Sequence, residues 1–236
     1  MIELADCSPE LACLRLEALY QCDSRGRLVS VNEWNGSATP RFHLMRTVRR
    51  SFGRYRADLA DDLVVRLEEL RAEEPTGRRQ GELPSLPGKY LELLTLHAPV
   101  ARVWAGPVFT FPDDMTADVR IVSINETNEH LLRGGFDDWL ADIRYRQPFC
   151  AVVEDNRAVS ICASVRITDA VHCAGVETLT GYRRRGYAAC AVAGWALTVR
   201  SLGANPFYST SWDNEASRRV AARLHLGLIG VDFHVT

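Results

Sequence analysis

The chain has 236 residues, 47% hydrophobic and 25% charged, with a formal net charge of −2 at pH 7. That length suits one large domain or two small ones, and the composition is that of an ordinary globular protein. The near-neutral balance excludes a general attraction to nucleic acid or to a membrane surface.

The opening run MIELADCSPELACLRLEALY carries acids and lacks a basic segment before a long apolar core, so no signal peptide is expected. No apolar run approaches the roughly 20 residues of a membrane span. A cytoplasmic location is the expectation. LACLRLEALY has helical spacing, and GRLVSVNEW alternates after the turn residues DSRG, which predicts a hairpin. Leu59, Leu63, Leu67 and Leu70 recur at helical spacing, and KYLELLTLHAPV predicts another helix. Before the Leu59 helix, RTVRRSFGRYR, 46–56, is basic with Phe52 and Tyr55 interleaved; it predicts a solvated face balanced by the acids just after it, with attraction of an acidic substrate or nucleic acid as the alternative. Trp34, Trp104 and Trp139 are expected in cores. Residues 71–88, rich in Pro and Gly, read as a long connection. This N-terminal part, residues 1–110, predicts a smaller α+β subdomain.

Residues 111–236 are more regular. DVRIVSI predicts a strand, and TNEHLLRGGFDDWLADIRY one or two helices broken at Gly134 and Gly135. PFCAVVEDN and AVSICASVRIT predict strands joined by a tight turn. GVETLT predicts a further strand, residues 186–201 a helix, FYSTSW a strand, NEASRRVAARLHL a helix and IGVDFHV a closing strand. The order implies an α/β fold on a mixed sheet.

There are 7 cysteines, without a C-x-x-C pair. Zinc needs four converging ligands, usually in closely spaced pairs, so no metal is expected and the thiols read as reduced and mostly buried. Asn35 and Asn125 open glycosylation triplets that have no meaning without secretion.

The chemistry concentrates in VETLTGYRRRGYAAC, where a strand turns into a helix. The first N–H groups of a helix have no partner within it, and the helix dipole adds positive charge there, so a phosphate fits that end. Gly186 keeps the backbone approachable, Ala188 and Ala189 keep the path open, and Arg183, Arg184 and Arg185 add charge. Ala188, Val192, Trp195, Ala196 and Val199 would form the packing stripe of the helix. Neither the P-loop nor the dinucleotide fingerprint fits, because Tyr187 and Ala188 stand where Lys and Ser/Thr are needed and G-x-G-x-x-G is absent.

What does match is Arg183-x-x-Gly186-x-Ala188. This resembles the pyrophosphate loop of the GNAT acetyltransferase superfamily. Downstream, YSTSWDNEASRRVAARL is similar to that family's second block, with Asn214 opening a helix and Ser217 three residues on.

The resemblance implies a GNAT acyltransferase fold over the C-terminal half, with acetyl-CoA as co-substrate. Val176, Glu177 and Thr178 would line the thioester arm, and the backbone of residues 184–189 would hold the pyrophosphate. Asn214 and Ser217 would contact the pantetheine side. The implied reaction is direct attack of a small-molecule amine on the thioester. Glu177 is the expected general base, with pairing to an arginine as the alternative. The family's usual Tyr acid is Ala221 here, and its usual Gly near the helix end is His225. Tyr208 and Ser211 are candidate substitutes for the acid, His225 and His234 read as structural, and Cys190 reads as packing. Two further readings stay open: a catalytically weak acyl-CoA-binding sensor or scaffold, and a protein acceptor. A homodimer is left open too.

Overall fold

In the computed structural model, residues 1–117 and 121–236 are described. They form two compact units. The first comprises residues 1–110, 209–215 and 227–236, the second residues 111–208 and 216–226.

The elements of the first unit are β1 (Ile2–Glu3), α1 (Pro9–Leu19), β2 (Tyr20–Cys22), β3 (Leu28–Val31), β4 (Phe42–Thr47), β5 (Ser51–Tyr55), α2 (Asp61–Ala72), β6 (Arg79–Gln80), α3 (Pro87–Thr95) and β7 (Val103–Thr110). The second unit holds β8 (Ile121–Ser123), β9 (Phe149–Glu154), β10 (Arg157–Ile167), β11 (Val171–Thr178), α4 (Tyr187–Ser201) and most of β12 (Asn205–Ser209) and α5 (Glu215–Arg223). The chain closes with β13 (Gly227–Val235), which pairs antiparallel with β4 and β7 in the first unit.

In the first unit β13 lies between β4 and β7, with β5 beyond β4. Strand alternation puts Phe42, Leu44, Phe233 and Val235 on one face, where they pack with Leu63 and Leu67 of α2 and Tyr90 and Leu94 of α3. The basic run 46–56 is the solvated face expected of it only in part: Arg49 and Arg50 are exposed and Arg56 pairs with Asp58 at 2.7 Å. Arg46 is 1% exposed and donates to the Gly81 carbonyl at 2.8 Å. Its residues alternate along β4 and β5, so charge count alone misplaces them. The DSRG hairpin forms as expected, with Gly26 at φ +73°.

In the second unit β10 pairs antiparallel with β9 and β11, β8 pairs antiparallel with β9, and β11 pairs parallel with β12. The sheet is therefore mixed, as expected. Asp155 and Asn156 both take positive φ, 46° and 59°, which suits the tight turn from β9 to β10. The first part of the strand expected from DVRIVSI, residues 118–120, lies outside the described residues. Residues 129–145 form two helices interrupted around Gly134 and Gly135, as expected, but both are 3-10 helices, Glu129–Leu132 and Asp137–Tyr145. Gly134 at φ +74° and the Asp137 carboxylate accepting its N–H at 3.1 Å hold the chain in turns there. These turns bury Leu131, Leu132, Phe136 and Ile143 on one face of the sheet. On the other face lies α4, whose packing stripe is buried: Ala191, Val192, Trp195, Ala196 and Val199 are all 0% exposed.

Candidate functional site

β11 runs beside β12 for only part of its length. Val171 faces Asn205 and Cys173 faces Phe207, and there the ladder ends. On its other side β11 stays paired to β10 as far as Thr178 opposite Ser160. Residues 174–178 therefore present an edge that β12 does not cover. Strand alternation decides which backbone groups lie on that edge. Leu179 N–H donates to the Val159 carbonyl on the β10 side at 3.1 Å, so residues 177 and 175 point the same way. The N–H and C=O of Val176 and Thr178 point to the open side. There the Thr178 carbonyl accepts from Arg183 Nε at 3.2 Å.

The strand leads directly into the loop that opens α4. Arg184 and Gly186 take φ +62° and +88°. The first helical hydrogen bond is Cys190 N–H to the Gly186 carbonyl, 3.2 Å. The N–H groups of Tyr187, Ala188 and Ala189 have no acceptor one helical turn back, the arrangement an anionic oxygen satisfies.

The three arginines diverge. Arg183 braces the loop to Thr178, Arg185 lies over the Tyr182 ring at 5.2 Å, and Arg184 is exposed. The phenol of Tyr187 is tied to Glu154 Oε1. A fourth arginine, which the loop motif does not contain, joins them. Arg223 at the end of α5 places its guanidinium carbon 3.1 Å from where a Cβ on Gly186 would stand. No local spacing signals this contact, because it is made between two helices.

Side chains on β11 divide between two faces. Thr178 Oγ1 shares a 2.7 Å hydrogen bond with Ser160 on the α4 face. Glu177 points to the opposite face, where its Oε2 accepts the indole N–H of Trp139 at 2.8 Å. Its partner among the described residues is thus a tryptophan and not the arginine held open from sequence. Trp139 is half-buried and packs against the core of the second unit with its N–H on this carboxylate, whereas Trp34 is 51% exposed and is not the core residue expected of it. An indole has an apolar body and one polar handle, which is the signal that could have singled out Trp139.

Asn214 falls in the stretch 209–215 of the first unit, where its N–H donates to the Ser211 carbonyl at 3.2 Å. Ser217, on α5, shares a hydrogen bond with the phenol of Tyr208. Ala221, in the usual acid position, is buried, and burial pushes the Tyr208 phenol up to about 12. Its hydroxyl is already engaged with Ser217, so Tyr208 could act as the substitute acid only by turning from that partner. His225 takes φ +52°, a left-handed conformation that explains why glycine suits that position.

A second polar cluster is buried in the first unit. Asp232 accepts from Arg15 Nη2 at 2.6 Å and lies 3.0 Å from His43 Nε2, with His234 beside them. These groups could in principle ligate a cation. The Arg15 charge already neutralises Asp232, however, so a divalent ion would bring two uncompensated charges into a buried site.

Residues 146–228 match the family model described as GNAT acetyltransferase. Among solved structures, a GCN5-related N-acetyltransferase from Sphaerobacter thermophilus is 14% identical. Its TM-score is 0.51, with 95% of this chain and 85% of that one covered. A GCN5-related N-acetyltransferase-like protein from Streptococcus suis is 15% identical, with a TM-score of 0.48, covering 84% of this chain and 85% of that one. A protein from Novosphingobium aromaticivorans, described as a candidate acetyltransferase of the GNAT family, is 21% identical with a TM-score of 0.47. The match covers 58% of this chain and 65% of that one, under two thirds of that protein's length. No curated protein sequence matches significantly. The Sphaerobacter likeness bears on the fold alone.

Proposed function

From the GNAT acetyltransferase domain carried by residues 146–228, we infer that this protein moves an acetyl group from acetyl-CoA to a small-molecule amine by direct attack in a ternary complex. The observation that carries the reading is the edge of β11 left uncovered after Cys173, running straight into the Gly186 loop. An extended pantetheine would add to that edge as a strand does, using the Val176 and Thr178 backbone. Its pyrophosphate would rest on the N–H groups at the start of α4, with Gly186 giving access and Arg223 adding charge. Ser217 would stand on the pantetheine side.

The acceptor approaches from the Glu177 face. An ammonium must lose a proton before it attacks, and Glu177 takes it, directly or through one water. The nitrogen adds to the thioester carbonyl, and a strand N–H stabilises the oxyanion. The nitrogen gives its second proton to solvent, the C–S bond breaks, and the CoA thiolate leaves without a dedicated acid and takes its proton from solvent.

Ala221 in place of the usual Tyr supports a second reading, an acyl-CoA-binding module of low activity. A turnover screen with acetyl-CoA separates the two, reading thiol release across aminosugars, polyamines, aromatic amines, amino acids and peptides. Saturable turnover with one class supports the enzyme. Binding of acetyl-CoA without turnover supports the module. No binding removes both. No helix among the described residues is long and apolar enough to cross a membrane.

A further inference from the structure

We propose that Trp139 is a positioning residue for Glu177, holding one carboxylate oxygen so that the other faces the acceptor amine; this rests on the reading of Glu177 as the base. Glu177 is exposed and lies on a strand edge, where a three-torsion side chain would otherwise sample many rotamers. A freely rotating carboxylate spends little of its time aimed at one nitrogen. The indole N–H fixes Oε2 at 2.8 Å, and Oε1 has no protein partner among the described residues. The pair is therefore asymmetric: one oxygen anchored, one open.

The sequence around the pair builds this arrangement. β10 has an irregularity between Ser164 and Arg166, and Val165 there crosses over Gly175. A Cβ on Gly175 would stand 2.3 Å from Val165 Cγ1 and 3.3 Å from Trp139 Cη2. Only a glycine leaves room for both, and Glu177 is the next residue on that face. The indole is itself held. The guanidinium of Arg146 lies 5.1 Å from its centroid, and Asp142 accepts from Arg146 Nε at 2.6 Å. The edge of Phe149 closes another side at 5.7 Å. A ring fixed by a cation, an aromatic edge and a glycine loses little further freedom on donating one hydrogen bond.

The test has two arms. In the first, the protein carries 15N-labelled tryptophan, and its indole signals are read by NMR, with the Trp139 signal assigned by its loss in Trp139→Phe. Glu177→Ala should move the Trp139 indole proton upfield and leave the other tryptophans in place. An unmoved signal overturns the proposal. In the second arm, Trp139→Phe should lower kcat about tenfold with the fastest amine of the turnover screen, leaving KM for acetyl-CoA unchanged. It should cause no further loss in a Glu177→Gln background. The benzothiophene isostere of tryptophan, inserted at position 139, keeps the ring shape and lacks the N–H, so it guards against a folding effect of Phe. Wild-type kcat in both variants, or an equal loss with and without Glu177, overturns the proposal. Full turnover in Glu177→Gln itself, or no turnover with any amine, removes the base reading and the proposal with it.

Discussion

The guanidinium of Arg223 lies across Gly186, with Nη2 3.0 Å and Nη1 3.2 Å from the point where a Cβ would stand. Gly186 is therefore constrained twice. Its φ of +88° disfavours any side chain, and the space beside it belongs to a cation. Gly186→Ala should cost about 1–2 kcal/mol of stability from backbone conformation. It should also weaken acetyl-CoA at least tenfold by displacing Arg223. Calorimetry with acetyl-CoA and a melting curve check the two effects, and unchanged affinity in a folded variant would sink the site.

Arg223→Ala tests the cation separately. If the guanidinium meets the pyrophosphate, affinity for CoA and for dephospho-CoA should fall by the same factor, about tenfold. The salt dependence of binding should become shallower, since fewer charges are neutralised. A loss confined to CoA would assign Arg223 to the 3′-phosphate instead.

Glu177→Gln keeps the shape of the side chain and removes its capacity to accept a proton. Turnover should fall by about 10²–10⁴, the usual contribution of a positioned base, while acetyl-CoA affinity stays within twofold. Steady-state kinetics beside calorimetry measures both, and a kcat within twofold of wild type would exclude Glu177 from the proton transfer.

Much of the second unit is legible in the sequence, for local reasons. β9 and β10 are visible because apolar runs flank Asp155 and Asn156, residues that tolerate the left-handed turn between them. The loop at residues 183–188 is visible because a helix start and an approachable backbone need particular residues at fixed spacing. The rest depends on contacts between distant segments. Nothing near position 223 reports that its side chain crosses Gly186, and nothing near 139 reports a partner on β11. The turns at 129–145 carry a helical spacing of apolar residues, yet Gly134 and Asp137 divert the backbone. Where the ladder between β11 and β12 stops is a matter of strand divergence, which a one-dimensional pattern does not encode.

The buried cluster of the first unit should make stability depend on pH. Burial lowers the His43 pKa, and burial together with His43 lowers that of His234 well below the usual imidazole value. Both rings are neutral in the folded chain and take up protons more readily when it unfolds. Burial alone would raise the Asp232 carboxyl, but Arg15 and His43 outweigh it and hold the group well below the carboxylate range. The signs agree. The unfolded state binds more protons in acid, so stability is fully present above about pH 6.5 and falls as pH drops below it. Each histidine contributes a slope of up to about 1.4 kcal/mol per pH unit. Melting temperature should be flat from neutral pH upward and decline steadily from pH 6.5 to 5. His43→Gln and His234→Gln should each flatten that decline, and an unaltered slope in both variants would place the sensitivity elsewhere.

Tyr208 provides the last discrimination, between a leaving thiolate that is protonated by the enzyme and one that is not. Its phenol is bonded to Ser217, and its proton is held by burial. If the thiolate departs unassisted, Tyr208→Phe should leave kcat within about threefold and cost about 1 kcal/mol of stability, the net worth of one hydrogen bond. A loss of a hundredfold or more, with acetyl-CoA affinity intact, would mean that the phenol moves from Ser217 to the sulfur during turnover. Chemical denaturation and single-turnover kinetics on the same variant separate these outcomes, because the first reads the Ser217 bond and the second reads the departure of the thiol.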